Sequence, residues 1–315
     1  MIIVTGCAGF IGYHLCNRLL AQKQKIIGID SINEYYDPEL KKARLAQLLS
    51  STDFSFHKID ICDFESLENV FISANADLVC HLAAQAGVRY SITHPFAYQK
   101  SNNEGFLNIL ELSRRYNIKN FVYASSSSVY GNNSKLPFSE NDPVDHPISL
   151  YAATKRSNEL TAYCYSHLYQ LNTSGLRFFT VYGPWGRPDM ALFIFTKAII
   201  ENKPIDIFNN GKMMRNFTYI DDIVEGIIRV LYTTKRYEIY NIGNDRAENL
   251  LDFISQIELC VGKKAIRNYL PMQMGDVPST VADIQKIKSL GYNPKTNIDE
   301  GIKNFVNWYR SYYGV

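Results

Sequence analysis

The chain has 315 residues, 46% of them hydrophobic and 20% charged, and its 33 basic and 31 acidic side chains leave a formal net charge of +2. This composition excludes a disordered, collagen-like or low-complexity chain, and the charge balance argues against a nucleic-acid or anionic-membrane partner. The length suits one large domain or two intimate ones around a substantial core. In chain order, apolar runs at Ile2–Val4, Lys25–Asp30, Phe54–Ile59, Leu78–His81 and Phe121–Ala124 predict strands covered on both faces. Helical patterns near 10–23, 39–50, 64–74 and 96–116 alternate with them. Repeated strand–helix–strand units predict an α/β fold, a Rossmann-type doubly wound parallel sheet. Tyr151 to about Tyr169 is a further helical run. Beyond about residue 178, prolines break the regularity, and helices near 190–201, 221–234, 249–261 and 298–312 predict a smaller mixed α/β region. The expected division is therefore 1–177 for the sheet and 178–315 for the smaller region, some segments of which return to the sheet.

No apolar run approaches the roughly 18 residues needed to cross a bilayer. The opening Met1-Ile2-Ile3-Val4-Thr5-Gly6 lacks the basic stretch and cleavage site of a secretory signal. The six cysteines are scattered, without a Cys-x-x-Cys pair or clustered histidines, so they read as reduced thiols and no metal site is expected. A cytoplasmic location follows as the expectation.

Gly6-Cys7-Ala8-Gly9-Phe10-Ile11-Gly12 follows the first strand directly and opens the first helix. Gly6 permits a tight turn, Gly9 lets the backbone approach a pyrophosphate, and Gly12 allows close helix–strand packing. The helix N-terminus would present free amides to the phosphates. Asp30, 18 positions after Gly12, ends the next strand where a carboxylate meets ribose hydroxyls, which favours NAD over NADP. Asp60 follows the third strand similarly and would either hold the adenine or serve as a turn residue.

Tyr151 and Lys155 lie four apart at the start of a helical run, so phenol and ammonium can address one ligand. A neighbouring cation favours phenolate and suits the tyrosine to general acid–base work. Upstream, Ser125-Ser126-Ser127-Ser128 ends a strand at the sheet edge where ligands bind, and a hydroxyl there can orient a substrate oxygen.

These motifs, in this order, resemble the extended short-chain dehydrogenase/reductase family, and within it the nucleotide-sugar 4-epimerases, UDP-glucuronate 4-epimerases above all. The resemblance rests on Tyr35-Tyr36-Asp37-Pro38, on His81-Leu82-Ala83-Ala84-Gln85-Ala86-Gly87-Val88-Arg89-Tyr90-Ser91, and on the run Arg177–Met190 with its Tyr182-Gly183-Pro184-Trp185-Gly186-Arg187. Gly275-Asp276-Val277-Pro278 and Asn304–Tyr309 add to it. One departure is Asn216, where the family usually has aspartate.

The resemblance implies a homodimeric enzyme, paired through helices 96–116 and 149–170, that retains NAD through turnover. Tyr151 would take the proton of the sugar 4-hydroxyl while hydride passes to NAD and later returns to the other face of a 4-keto sugar. Lys155 would hold the ribose and lower the tyrosine pKa. Ser126 matches the family's catalytic serine, with Ser127 and Ser128 as neighbouring alternatives. Dehydratases and decarboxylases of the family carry an acid where this chain has Ser127 and Ser128, so elimination lacks its acid–base pair. The cofactor would be lined by Gly6, Gly9, Phe10, Ile11, Gly12, Asp30, Asn33, Asp60, Ile61, Leu82, Ala83, Ala84, Gln85, Asn102 and Tyr182. Arg187, with Thr180 and Ser127 or Ser128, would fix a uronate carboxylate, since a guanidinium fork matches that group; a pyrophosphate or a surface acid is the other reading for Arg187. Arg215 would meet the diphosphate, and Asp276 the uridine ribose or a neighbouring loop. Phe208 would stack on uracil or belong to the core, and Arg89 would approach the substrate or form a structural ion pair. UDP-glucose or UDP-N-acetylglucosamine is the alternative substrate, and a catalytically silent NAD-binding regulator the alternative class.

Overall fold

The first strand, β1 (Ile2–Thr5), runs through the middle of the molecule with all four residues buried. It is followed by α1 (Phe10–Ala21), β2 (Ile26–Asp30), α2 (Pro38–Leu48), β3 (Phe54–Lys58), α3 (Phe64–Ala74) and β4 (Leu78–His81). Two short helices, α4 (Val88–Thr93) and α5 (Pro95–Tyr98), lead through a π-helical stretch at Gln99–Gly105 into α6 (Phe106–Arg115). Next come β5 (Asn120–Ser126), a 3₁₀ turn at Ser127–Tyr130, α7 (Leu150–Tyr169) and β6 (Thr173–Phe178). The computed structural model describes residues 1–273 and 275–315.

The second half contains β7 (Thr180–Tyr182), α8 (Ala191–Ile200), β8 (Pro204–Ile207), β9 (Met214–Arg215), β10 (Phe217–Tyr219) and α9 (Ile220–Leu231). It continues with β11 (Tyr237–Ile242), β12 (Glu248–Asn249), α10 (Leu250–Val261), β13 (Ile266–Tyr269), α11 (Gln285–Lys288) and α12 (Ile298–Tyr313).

Seven strands form one parallel sheet in the order β11-β6-β5-β4-β1-β2-β3. The chain winds outward from β1 to β2 and β3 on one side, and from β4 to β5, β6 and β11 on the other. The crossing point therefore lies between β1 and β4, whose carboxyl ends open the crevice where such sheets bind ligands. Helix α1 starts at this crevice. Helix α2 begins where Asp37 caps it, accepting from the Glu39 amide at 2.9 Å, with Pro38 in the first turn.

The doubly wound parallel sheet matches the expected fold. Two of its strands, β6 and β11, were not among the expected ones, and the expected helix at 96–116 is three helical pieces with a π-helical centre. The second half is not a separate layer: β11 extends the main sheet and α9 packs on α1. The remainder builds its own core, in which Phe217 and Phe253 stack at 4.0 Å. Its three two-stranded pairings, β10–β7, β12–β9 and β13–β8, hold Arg215, Phe208 and their neighbours above the sheet's carboxyl edge.

Candidate active site

The glycine-rich turn is shaped by backbone contact. Gly6 has φ +73°, and a Cβ there would meet Ala83 N at 2.7 Å; a Cβ on Gly12 would lie 2.0 Å from Gly6 O. No side chain fits at either position, so the turn, α1 and the strand β4 exit approach as a phosphate cradle requires. Asp30 closes the turn from β2: its carboxylate accepts from Ala8 N at 3.1 Å and Ile32 N at 2.8 Å. Burial pushes its carboxyl up, partly offset by those amides and by the nearby Lys41 and Arg44. Both oxygens keep lone pairs for ribose hydroxyls. Asn33 accepts from Lys41 Nζ through its backbone and side-chain oxygens, both at 2.6 Å. Asp60 is exposed and accepts from Cys62 N at 2.9 Å, as a turn residue does, while Ile61 is buried.

At the β4 exit, Thr5 Oγ1 lies 2.7 Å from His81 Nδ1 and accepts from Ala83 N at 3.2 Å, which fixes the segment Leu82–Gln85 over the crevice. Asn102, buried in the middle of the π-helical stretch, accepts from Gln85 N at 2.8 Å and donates to Gln85 O and to Thr154 Oγ1, both at 3.0 Å. That ties the crevice loop to the helix that carries Tyr151. π-helical insertions of this kind recur at functional sites.

Helix α7 begins at Ser149, whose Oγ accepts from Ala152 N at 3.1 Å. Tyr151 and Lys155 thereby occupy its first two turns, at the carboxyl end of β5. Lys155 Nζ donates to Ala124 O at 2.8 Å and lies 6.0 Å from the Tyr151 ring centroid. Burial lowers the Lys155 ammonium to about 8. Burial pushes the Tyr151 phenol up, opposed by a hydrogen bond with Ser126 and by the charge of Arg187. Of the four serines, Ser126 is thus the one beside the phenol. Ser125 turns inward, donating to Glu159 Oε1 at 2.7 Å, and Ser128 N donates to Ser126 Oγ at 3.2 Å.

Ser127, Ser128, Ser149, Thr180, Arg215 and Asp276 line one cavity of about 140 Å³. A smaller one of about 20 Å³ adjoins it through Thr180 and is walled by Phe10, Gly183, Gly186, Arg187 and Met190. Arg215 donates only to the carbonyls of Met214 and Pro278 at 3.0 and 3.2 Å and to Met213 Sδ, and no carboxylate pairs with it at ion-pair distance among the described residues. Arg89 pairs with Asp276 at 3.6 Å and lies over the half-buried Phe208 ring at 5.0 Å, so these three groups gather at the cavity mouth.

Two of the residues expected at the site lie outside the larger cavity. The Tyr182 ring is buried among Phe217, Tyr219 and Phe253, its hydroxyl reaches Asn297 O at 3.4 Å, and the residue lines the smaller cavity. Arg187 does not line the larger cavity; it is held by Asp189 through Nε–Oδ1 at 3.0 Å and Nη2–Oδ2 at 2.5 Å. Asn216, the departure from aspartate, is buried with its amide donating to the carbonyls of Asn244 and Arg246 at 2.7 and 2.9 Å, bonds a carboxylate could not make.

Sequence reasoning passed over Arg44, Lys41, Asp189 and the buried pair Glu159–Arg177. A signal existed for α2: Lys41 and Arg44 fall on the same helical face as Leu40, Leu45 and Leu48, so charges sit where the pattern buries side chains.

Residues 2–243 match the model of the NAD dependent epimerase/dehydratase family. The chain is 50% identical to Protein CapI of Staphylococcus aureus, with 99% of each chain covered. It is 44% identical to a probable UDP-glucuronate 4-epimerase of Rhizobium meliloti, over 99% of this chain and 97% of that one. A crystal structure of UDP-glucuronic acid 4-epimerase from Bacillus cereus, in complex with UDP-glucuronic acid and NAD, superposes with a TM-score of 0.92 at 36% identity, covering 99% of both chains. The glycine-rich cradle, the Tyr151–Lys155 pair and these matches together place the chain in the NAD dependent epimerase/dehydratase family.

Proposed function

We propose that the chain is an NAD-dependent 4-epimerase that interconverts UDP-glucuronate and UDP-galacturonate. The observation that carries this reading is the joint geometry at the β5 edge. A half-buried phenol lies beside Ser126 and a cation, and the next two positions, Ser127 and Ser128, supply hydroxyls to the adjoining cavity instead of the acid that elimination chemistry needs. Relatives named for this activity support it.

NAD fits the cradle of Gly6, Gly9 and Gly12 with Asp30 at its far end, and when bound supplies the hydride acceptor and donor. Phe10, Ile11, Asn33 and the segment Leu82–Gln85 would complete its surroundings. Lys155 holds a positive charge beside Tyr151, which together with Arg187 favours the phenolate and suits Tyr151 to take and return the proton of the 4-hydroxyl. Ser126 orients the same oxygen. Arg215 meets the diphosphate, Phe208 offers its free face to uracil, and Asp276 and Arg89 close over the nucleotide. A 4-keto uronate is a β-keto acid that loses CO2 when its carboxylate aligns with the carbonyl, so the carboxylate must be held; Arg187, with Thr180 between the two cavities, is the group for it.

The test is turnover of UDP-glucuronate, UDP-glucose and UDP-N-acetylglucosamine by the purified protein. Conversion of the uronate alone is expected, and conversion confined to a neutral sugar overturns the reading. Residues 1–177 would form the NAD-binding part, joined by α9 and β11, and the rest the nucleotide-sugar part. A homodimer is proposed through α6 and α7, where Leu107, Leu160, Tyr163 and Leu168 are exposed on neighbouring helices. Sedimentation at the monomer mass would contradict it. No helix among the described residues is long and apolar enough to cross a membrane. With all six cysteines as free thiols, a cytoplasmic site is proposed.

A further inference from the structure

The Tyr35-Tyr36-Asp37-Pro38 motif and helix α2 have no part in the chemistry above, yet they converge on the loop that carries Arg187. Arg44 is fully buried, but no carboxylate lies within ion-pair distance of it among the described residues. Its Nη1 donates to Ala8 O at 3.0 Å and to the Tyr36 hydroxyl at 2.7 Å, and its Nη2 to Trp185 O at 2.6 Å. Burying a guanidinium on neutral acceptors is unfavourable in itself. What it secures is specific: the phosphate-cradle turn at one end, and at the other Trp185, a non-glycine residue at φ +59°, two positions before Arg187.

The Arg187 side chain is secured independently. Tyr35 Oη donates to Asp189 Oδ2 at 3.2 Å, and Asp189 grips the Nε and Nη2 edge of Arg187. Burial raises the Asp189 carboxyl, but Arg187 outweighs it and holds the group below its usual range, while burial and Asp189 push the Tyr35 phenol up to about 12, so it stays a donor. Gly87, at φ +100°, makes room: a Cβ there would lie 2.9 Å from Tyr35 Oη and 3.8 Å from Arg187 Nη2. The Nη1 of Arg187 has no hydrogen-bond partner among the described residues. The guanidinium is thus fixed by one edge, with its other edge left for a ligand.

We propose that Arg44, Tyr35 and Asp189 form a positioning unit that orients Arg187 toward the substrate carboxylate, so that this unit sets the preference for a uronate. The inference rests on the reading of Arg187 given above. Arg44 holds the backbone before Arg187, and Asp189, braced by Tyr35, holds its side chain. Because Arg44 also grips Ala8 O, the orientation is tied to the cofactor turn.

The test compares Tyr35→Phe, Asp189→Asn, Arg44→Lys and Arg187→Ala as NAD-loaded proteins, with KM and kcat for UDP-glucuronate, calorimetric affinity for UDP alone, and pentose release. Tyr35→Phe should raise KM roughly three- to tenfold and Asp189→Asn about tenfold or more. In both, kcat, UDP affinity and NAD content should change far less, and UDP-pentose should appear. Arg44→Lys, which cannot bridge Ala8 O and Trp185 O together, should likewise raise KM and release pentose, and by loosening the cofactor turn it should also lower NAD content. Asp189→Glu should restore part of the loss. If Arg187→Ala raises KM but Tyr35→Phe and Asp189→Asn do not, or if UDP affinity falls in step with uronate affinity, the positioning unit is refuted. If Arg187→Ala itself leaves uronate affinity unchanged, the carboxylate reading of Arg187 falls instead.

Discussion

At the scale of single residues, function depends on groups whose environment changes their chemistry. Tyr151 is a partly exposed phenol, made harder to ionise by burial and easier by Ser126 and Arg187. Removing only its hydroxyl should leave the cofactor cradle intact. Tyr151→Phe is therefore expected to lose about 10²- to 10⁴-fold in turnover while still binding NAD, checked by single-turnover assay and by nucleotide released on denaturation. Tyr151, Lys155 and the glycines were legible in the sequence because their spacing is itself the chemistry. The choice among the four serines was not, since strand alternation turns Ser125 in toward Glu159 and Ser126 out toward Tyr151, a distinction that needs the register. Arg187 was legible as a cation, but its grip by Asp189 two positions later depends on a loop held by α2, far away in sequence.

At the scale of elements, the catalytic helix is locked to the sheet from below. Arg177 on β6 donates to Glu159 on α7 through Nε and Nη2 at 2.8 and 2.9 Å, and through Nη1 to the Tyr130 hydroxyl at 3.0 Å. Tyr130 in turn donates to Asn241 on β11 at 2.6 Å. Glu159 is one turn beyond Lys155, so this buried pair fixes the height of α7 against the serine-bearing strand. Breaking it on one side leaves a buried charge; Arg177→Met should cost about 3–5 kcal/mol in urea unfolding. Arg177→Met combined with Glu159→Gln should recover part of that, whereas equal losses from the single and double variants would show that the pair is not coupled. The same strands explain what the sequence pattern concealed. Thr173-Ser174-Gly175-Leu176-Arg177-Phe178 is entirely buried although half of it is polar: the ion pair with Glu159 satisfies Arg177, while the Thr173 and Ser174 hydroxyls have no partner among the described residues. Hydrophobic periodicity cannot find such a strand. The helix expected at 96–116 is likewise interrupted because Asn102 reaches back to Gln85 and across to Thr154.

For the whole molecule, the near-neutral charge conceals a site built for anions, in which Arg187 and Arg215 line adjoining cavities. Solvent exclusion within the fold has a second consequence. Burial lowers His14 to about 4 and His81 to about 3, the latter helped by Lys155. Both histidines are neutral in the fold, but the unfolded chain binds protons near pH 6.5, so stability is full above that pH and falls as the pH drops toward 4. Each should contribute a loss of roughly 2 kcal/mol between pH 7 and pH 5, and His14→Phe should remove its share in urea titrations at the two pH values. The doubly wound sheet was legible from alternation alone, but the return of α9 and β11 to it was not, since the boundary near residue 178 marks a change in pattern rather than in packing.

The central claim is that C4 is oxidised and reduced again within one site without loss of the carboxylate. It is tested most directly with UDP-glucuronate carrying deuterium at C4. The account predicts UDP-galacturonate that retains the deuterium at C4, no exchange with solvent and no pentose. Deuterium lost to solvent, or UDP-pentose as the main product, would contradict it.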